Sequence, residues 1–192
     1  MKHSIRKSFL VAAVMGLTVS PAIAAQDHGH GSVHGAGHGM SQDMAEMMKE
    51  MDRQMADTSA FGRKGDISKV TRTVIIEASE IRFDTAELDF KVGETIRFVI
   101  VNNGEQPHEF TIGDAAYQER ARQAMAHMIE MGMDPVTPEH AAMHASAGNT
   151  VTLDVGDTKE IVWTFTETGS FEFSCNLIGH SEVGMKGGIV VN

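Results

Sequence analysis

From about residue 70 onward the apolar residues fall on every second position, and that alternation restricts the fold more than any other feature of the chain. Ile96, Phe98 and Ile100 alternate with Arg97 and Val99; Val151, Leu153 and Val155 with Thr152 and Asp154; Ile161, Trp163 and Phe165 with Val162 and Thr164. A period of two sends successive side chains to opposite faces of a strand, so each run offers one face to a core. Turn signals separate the runs at Val92-Gly93-Glu94, Asn102-Asn103-Gly104, Val155-Gly156-Asp157 and Thr168-Gly169-Ser170. Short strands at such spacing predict an all-β antiparallel sandwich or barrel, for which roughly 120 residues is a comfortable size. One Cys in 192 residues excludes an internal disulfide framework, so packing must hold the sandwich together.

Two regions depart from the β pattern. Residues 115–131 contain good helix formers with no Gly or Pro, Gly132 supplies a stop, and Pro135 and Pro138 force a turn. The spacing predicts a helical, Met/His-rich insertion over about residues 114–149. Before the sandwich, residues 27–39 are Gly/His low complexity with His28, His30, His34 and His38, and are expected to be flexible without a ligand. Met40, Met44, Met47, Met51 and Met55 then recur at helical spacing among charged residues, predicting an amphipathic helix with a methionine stripe. Residues 59–69, with Gly62, Gly65 and mixed charge, read as a linker. The expected organisation is thus a signal segment at 1–24, a His/Met-rich segment and linker at 25–69, and the sandwich at 70–192.

The signal assignment rests on the basic Lys2, Arg6 and Lys7, the apolar run from Phe9 to Val19, and the small residues around Ala24. The apolar run is short for a membrane span. The chain is therefore expected in the periplasm, without membrane insertion after cleavage. The net charge of −10 argues against a partner whose phosphates must be neutralised, so no nucleic acid is expected.

The chemistry concentrates near the C-terminus. Cys175 has the parity of Phe171 and Phe173 and so points inward at a strand end; four residues later comes His180, and after four more Met185. His108 shares its parity with Phe110 and Ile112. Two imidazoles, a thiolate and a thioether that converge from two strand ends suit a type 1 copper centre, because soft sulfur favours Cu(I) while imidazole also accepts Cu(II). Zinc sites rarely use a thioether.

These residues carry a resemblance. Val92-Gly93-Glu94 before a strand, Asn102-Asn103-Gly104 before His108, and Gly169-Ser-Phe-Glu-Phe-Ser-Cys175 leading into Ile178-Gly179-His180 and Gly184-Met185-Lys186-Gly187 make residues 70–192 similar to the cupredoxins, with a loop closest to the auracyanin pattern. The resemblance implies a Greek-key cupredoxin sandwich, with His108, Cys175 and His180 as equatorial copper ligands and Met185 as the axial one. Glu109 and Ile178 depart from the family pattern, which has Asn after the first His in many members and commonly Pro before Gly-His.

Met and His recur outside the copper loop, at Met125, His127, Met128, Met131, Met133, His140, Met143 and His144 as well as in the leader. Thioethers bind Cu(I) without losing a proton, so these segments are candidates for additional Cu(I). The whole mature chain resembles the periplasmic cupredoxins of copper-tolerance systems. The resulting expectation is a non-enzymatic copper protein that contributes to copper tolerance while its copper cycles between Cu(I) and Cu(II), with copper ions and a periplasmic redox or copper-export protein as partners. The alternative is a dedicated one-electron carrier between periplasmic or membrane redox partners.

Overall fold

The computed structural model describes residues 42–192, so the signal segment, the Gly/His stretch and Met40 lie outside the described residues. Ten strands follow a first helix, α1 (Gln42–Ala56). They are β1 (Arg63–Lys64), β2 (Arg72–Ser79), β3 (Arg82–Phe83), β4 (Glu87–Phe90), β5 (Thr95–Asn102), β6 (His108–Gly113), β7 (Thr150–Leu153), β8 (Thr158–Thr164), β9 (Gly169–Ser174) and β10 (Lys186–Val191). Two further helices, α2 (Ala115–Glu130) and α3 (Pro138–His144), separate β6 from β7.

The strands form two sheets, ordered β1-β8-β5-β2-β3 and β4-β10-β9-β6-β7. Most neighbours are antiparallel, as the alternation predicts, but β2 pairs with β5 and β4 with β10 in parallel. Both parallel pairs arise because the chain crosses between sheets: β4 joins the second sheet before β5 returns to lie beside β2. The inward residues of both sheets are the expected ones. Ile96, Phe98, Ile100, Ile161, Trp163, Phe165, Phe171 and Phe173 are all buried, whereas Val155 lies exposed in the turn after β7.

The segment at residues 59–69, expected as a linker, is instead part of the sandwich. Arg63 and Lys64 pair with Trp163 and Thr164 of β8, extending the first sheet by one short strand. Phe61 is 1 % exposed and stacks on Trp163, with Tyr117 edge-on. The polar and glycine-rich flanks of a single aromatic hid this anchor. The glycine beside it has a packing role: a Cβ on Gly62 would lie 2.4 Å from the Thr164 carbonyl oxygen.

The insertion is helical, and it also changes the burial of β6. Asp114 caps α2 by accepting from the Tyr117 amide at 2.7 Å, and Pro138 opens α3 where its missing N–H costs nothing. Because α2 packs against β6 and β9, the outward-facing Glu109 and Thr111 are buried along with the inward His108, Phe110 and Ile112.

Candidate metal centre

His108 begins β6, while Cys175 follows the last residue of β9. Between β9 and β10 the chain makes a compact loop in which the His180 amide donates to the Leu177 carbonyl and the Met185 amide to the His180 carbonyl, at 3.0 and 2.9 Å. The Cys175 amide donates to the Met185 carbonyl at 3.0 Å and closes the loop across its base. Gly179, at φ +85°, takes the turn immediately before His180 in a conformation that a side chain would strain. Sheet hydrogen bonding at both ends thus fixes the spacing between Cys175, His180 and Met185.

One ligand atom each from His108, Cys175 and His180 lies within 4.8 Å of the others. Cys175 Sγ is 3.3 Å from His180 Nδ1, and the two imidazole rings are 5.3 Å apart. Met185 is fully buried beside them in sequence and backbone bonding. The four residues singled out from the sequence are therefore brought together and arranged as a type 1 copper site.

Electrostatics favours a metal here over an unliganded polar cluster. Both ring nitrogens of His108 are buried without a hydrogen-bond partner, a costly state for an imidazole that is relieved by a metal bond. Burial holds the imidazoles of His108 and His180 below their ordinary range, in the neutral form that binds metal. Burial, aided by the Glu109 charge, pushes the Cys175 thiol up to about 12. Among the described residues no lysine or arginine compensates a free thiolate at this position, so the thiolate needs a cation to form near neutral pH. Sulfur and imidazole donors together fit copper.

Around the ligands are residues that strand parity did not mark. The Glu109 amide donates to Cys175 Sγ at 3.3 Å, while the Glu109 carboxylate accepts from Thr111 at 2.8 Å. Asn102 ties the loop before His108: its Nδ2 donates to the Gln106 carbonyl at 2.8 Å and its Oδ1 accepts from the Gly104 amide at 3.0 Å. The turn signal Asn102-Asn103-Gly104 contained this information, since Asn side chains commonly bond backbone two residues on. Gln118 and Asn176, buried between α2 and the copper loop, had no such signal.

The auxiliary Met and His residues are divided by the structure. Met51 and Met55 of α1, Met128 of α2, and Met143 and His144 of α3 line one small cavity, with His144 Nε2 2.9 Å from Met128 Sδ. His140 is drawn away, its Nδ1 lying 2.6 Å from the Asp134 carbonyl, and does not line the cavity. His127 lies 3.7 Å from Glu130 and apart from the cavity.

Comparison with known proteins agrees with this geometry. The copper binding proteins of the plastocyanin/azurin family match residues 70–192. The copper-resistant cuproprotein CopI of Rubrivivax gelatinosus is 36% identical over 193 residues, covering 100% of this chain and 99% of that protein. CopI of Pseudomonas aeruginosa is 31% identical over 71% of this chain and 84% of its own length. Among solved structures, auracyanin B superposes with a TM-score of 0.52 at 18% identity, over 68% of this chain and 96% of that one, a likeness of fold. With its sandwich, copper loop and matching relatives, the chain belongs to the plastocyanin/azurin family of copper-binding proteins and is a cupredoxin related to the copper-resistance cuproproteins.

Proposed function

We propose that this protein is a periplasmic, non-enzymatic type 1 copper protein that contributes to copper tolerance by holding copper and letting it cycle between Cu(I) and Cu(II). The observation that carries the reading is the convergence of buried His108 and Cys175 with half-buried His180, both ring nitrogens of His108 being without a partner. His108, Cys175, His180 and Met185 would hold the copper. Copper, when bound, supplies a one-electron couple. The loop's backbone bonds hold the donors in one arrangement, so little needs to move between the two oxidation states. The names of the CopI relatives support a role in copper resistance.

The cavity lined by Met51, Met55, Met128, Met143 and His144, with Asp52 at its wall, supports uptake of additional Cu(I), because four thioethers and an imidazole dominate its donors. A periplasmic location is supported by the signal-like sequence at residues 1–24. Among the described residues no helix is long and apolar enough to cross a membrane.

The alternative, a dedicated electron carrier, is favoured by the exposed apolar residues Ile178 and Val183 on the copper loop, a surface suited to a redox partner. Growth of a deletion strain across a copper series, complemented with wild-type or Cys175→Ser protein, tests the main reading. Tolerance restored by the wild type and lost with Cys175→Ser is expected; equal growth with both refutes it. Replacing Met51, Met128 and Met143 by Leu should lower Cu(I) stoichiometry while the thiolate-to-copper absorption persists. Unchanged stoichiometry favours the electron carrier.

A further inference from the structure

We propose that Gln118, on the inserted helix α2, is a positioning residue for the copper centre: it clamps both ligand-bearing strands and, through Asn176, fixes the hydrogen bonding of the Cys175 sulfur. The proposal rests on the assignment of Cys175 as a copper ligand. Gln118 is 1 % exposed, and its single amide group reaches three segments. Its Nε2 donates to the Thr111 carbonyl of β6 at 2.9 Å and to the Glu172 carbonyl of β9 at 3.1 Å. Its Oε1 accepts from Asn176 Nδ2 at 2.9 Å. The strand that carries His108 and the strand that leads to Cys175 are therefore joined at one side chain.

Asn176 is the point of leverage. It follows Cys175 directly, is 1 % exposed, and its Oδ1 has no partner, so the bond to Gln118 is its one side-chain hydrogen bond among the described residues. Across from it, the Glu109 amide of β6 donates to Cys175 Sγ at 3.3 Å, a bond that spans the two clamped segments. Holding β6, β9 and the Asn176 side chain at one amide fixes Cys175 Sγ against the Glu109 N–H. Hydrogen bonds to the thiolate drain electron density from sulfur, weaken its donation to Cu(II), and thereby raise the reduction potential of a type 1 centre. The Glu109 carboxylate is engaged with Thr111 on its own strand, so the cross-link to the residue after Cys175 is supplied by α2.

The clamp itself is set rigidly. The Gln118 amide donates to the Asp114 carbonyl at 3.0 Å and the Tyr117 amide to the Asp114 side chain at 2.7 Å, locking the first turn of α2. Tyr117 adds a bond from its hydroxyl to the Met55 carbonyl of α1 at 3.0 Å. An insertion that looks like an appendage is thus hydrogen-bonded to the backbone around the copper ligand.

Three variants of the full copper-loaded protein test the idea: Gln118→Met, which keeps the length but lacks the hydrogen bonds, Asn176→Ala, and the two combined. Each single variant is expected to lower the reduction potential and move the thiolate-to-copper band to longer wavelength. At a fixed solution potential the Cu(I):Cu(II) ratio should fall about fivefold, the effect of one hydrogen bond of about 1 kcal/mol. Because Gln118→Met already removes the link that Asn176→Ala breaks, the double variant should show the shift of Gln118→Met alone and not the sum of the two. In the metal-free protein the Glu109 amide, which donates to Sγ, should exchange with solvent faster in all three. A copper-loaded Gln118→Met with unchanged band and potential, or shifts that add in the double variant, overturns the proposal. If Gln118→Met does not fold, Asn176→Ala alone decides: an unchanged band and Glu109 amide exchange rate overturns it. Loss of the Cys175 assignment is separately visible, as a thiolate-to-copper band that survives Cys175→Ser.

Discussion

Replacing Phe61 by Ala tests whether the segment before β2 belongs to the cupredoxin core or merely precedes it. The ring sits 5.5 Å from Trp163 in a stacked pair at 26°, 5.2 Å from Tyr117 edge-on, and 6.3 Å from Phe171. At 1 % exposure its removal leaves a void that the surrounding aromatic rings fill poorly. Truncating such a Phe to Ala costs about 3–5 kcal/mol. A mid-range loss of about 4 kcal/mol should lower the melting temperature by roughly 8–16 °C in a domain of this size. The measurement is urea unfolding of metal-free protein, since bound copper would add its own linkage to the folded state. The fluorescence of Trp163, the single tryptophan, reports the contact directly, and far-ultraviolet circular dichroism reports the fold. Both midpoints should fall together. A loss below about 1 kcal/mol would refute the argument, because such a value is ordinary for surface substitutions.

Two further outcomes follow from the site. Burial holds the His108 and His180 imidazoles below their ordinary 6.5, so the stability they confer is complete above that value and is lost as pH falls through the lowered folded-state values. The Cys175 thiol is pushed from 9.0 to about 12, so its contribution is complete below 9.0 and is lost as pH rises toward 12. Urea midpoints of the metal-free protein should therefore be flat between these limits and decline on either side; a monotonic profile across them contradicts the burial argument. Asn102→Ala should cost about 2–3 kcal/mol, since it leaves the Gly104 amide and the Gln106 carbonyl without their partner. It should also reduce copper affinity by loosening the loop before His108, measured by competition with a copper chelator; unchanged affinity would show that this loop does not hold the ligand.

What strand parity could report was legible in the sequence. Cys175, Phe173 and Phe171 share a face, as do His108, Phe110 and Ile112, and all six are buried as alternation requires. The short Cys175–Met185 loop also carried its own geometry, because few conformations bridge two sheet-bound ends over that distance. Contacts between distant segments left no such mark. Phe61 pairs with Trp163 across about a hundred residues, and nothing in the glycine-rich surroundings of Phe61 indicates an anchor. The burial of Glu109 and Thr111 likewise depends on where α2 settles, which the periodicity of β6 alone does not encode. Gln118 has the composition of an ordinary helix-surface residue and becomes a clamp only because α2 lies over both strands.

The same helix accounts for why the methionines and the copper loop belong to one domain. Near its N-terminal end α2 presents Gln118 to Asn176, and near its C-terminal end it presents Met128 to His144. The donor sets at the two ends differ in their proton requirements. A thiolate and imidazoles bind metal only after proton loss or in neutral form, so acid weakens that site. The thioethers of Met51, Met55, Met128 and Met143 carry no proton to lose, so acid competes less with the Cu(I) uptake proposed there. Rigidity differs in the same sense. The copper loop is pinned by strand hydrogen bonds, whereas unbranched methionine side chains adapt to an incoming ion. An adaptable thioether cavity suits capture of a soft ion, and a pinned thiolate site suits holding one geometry through two oxidation states.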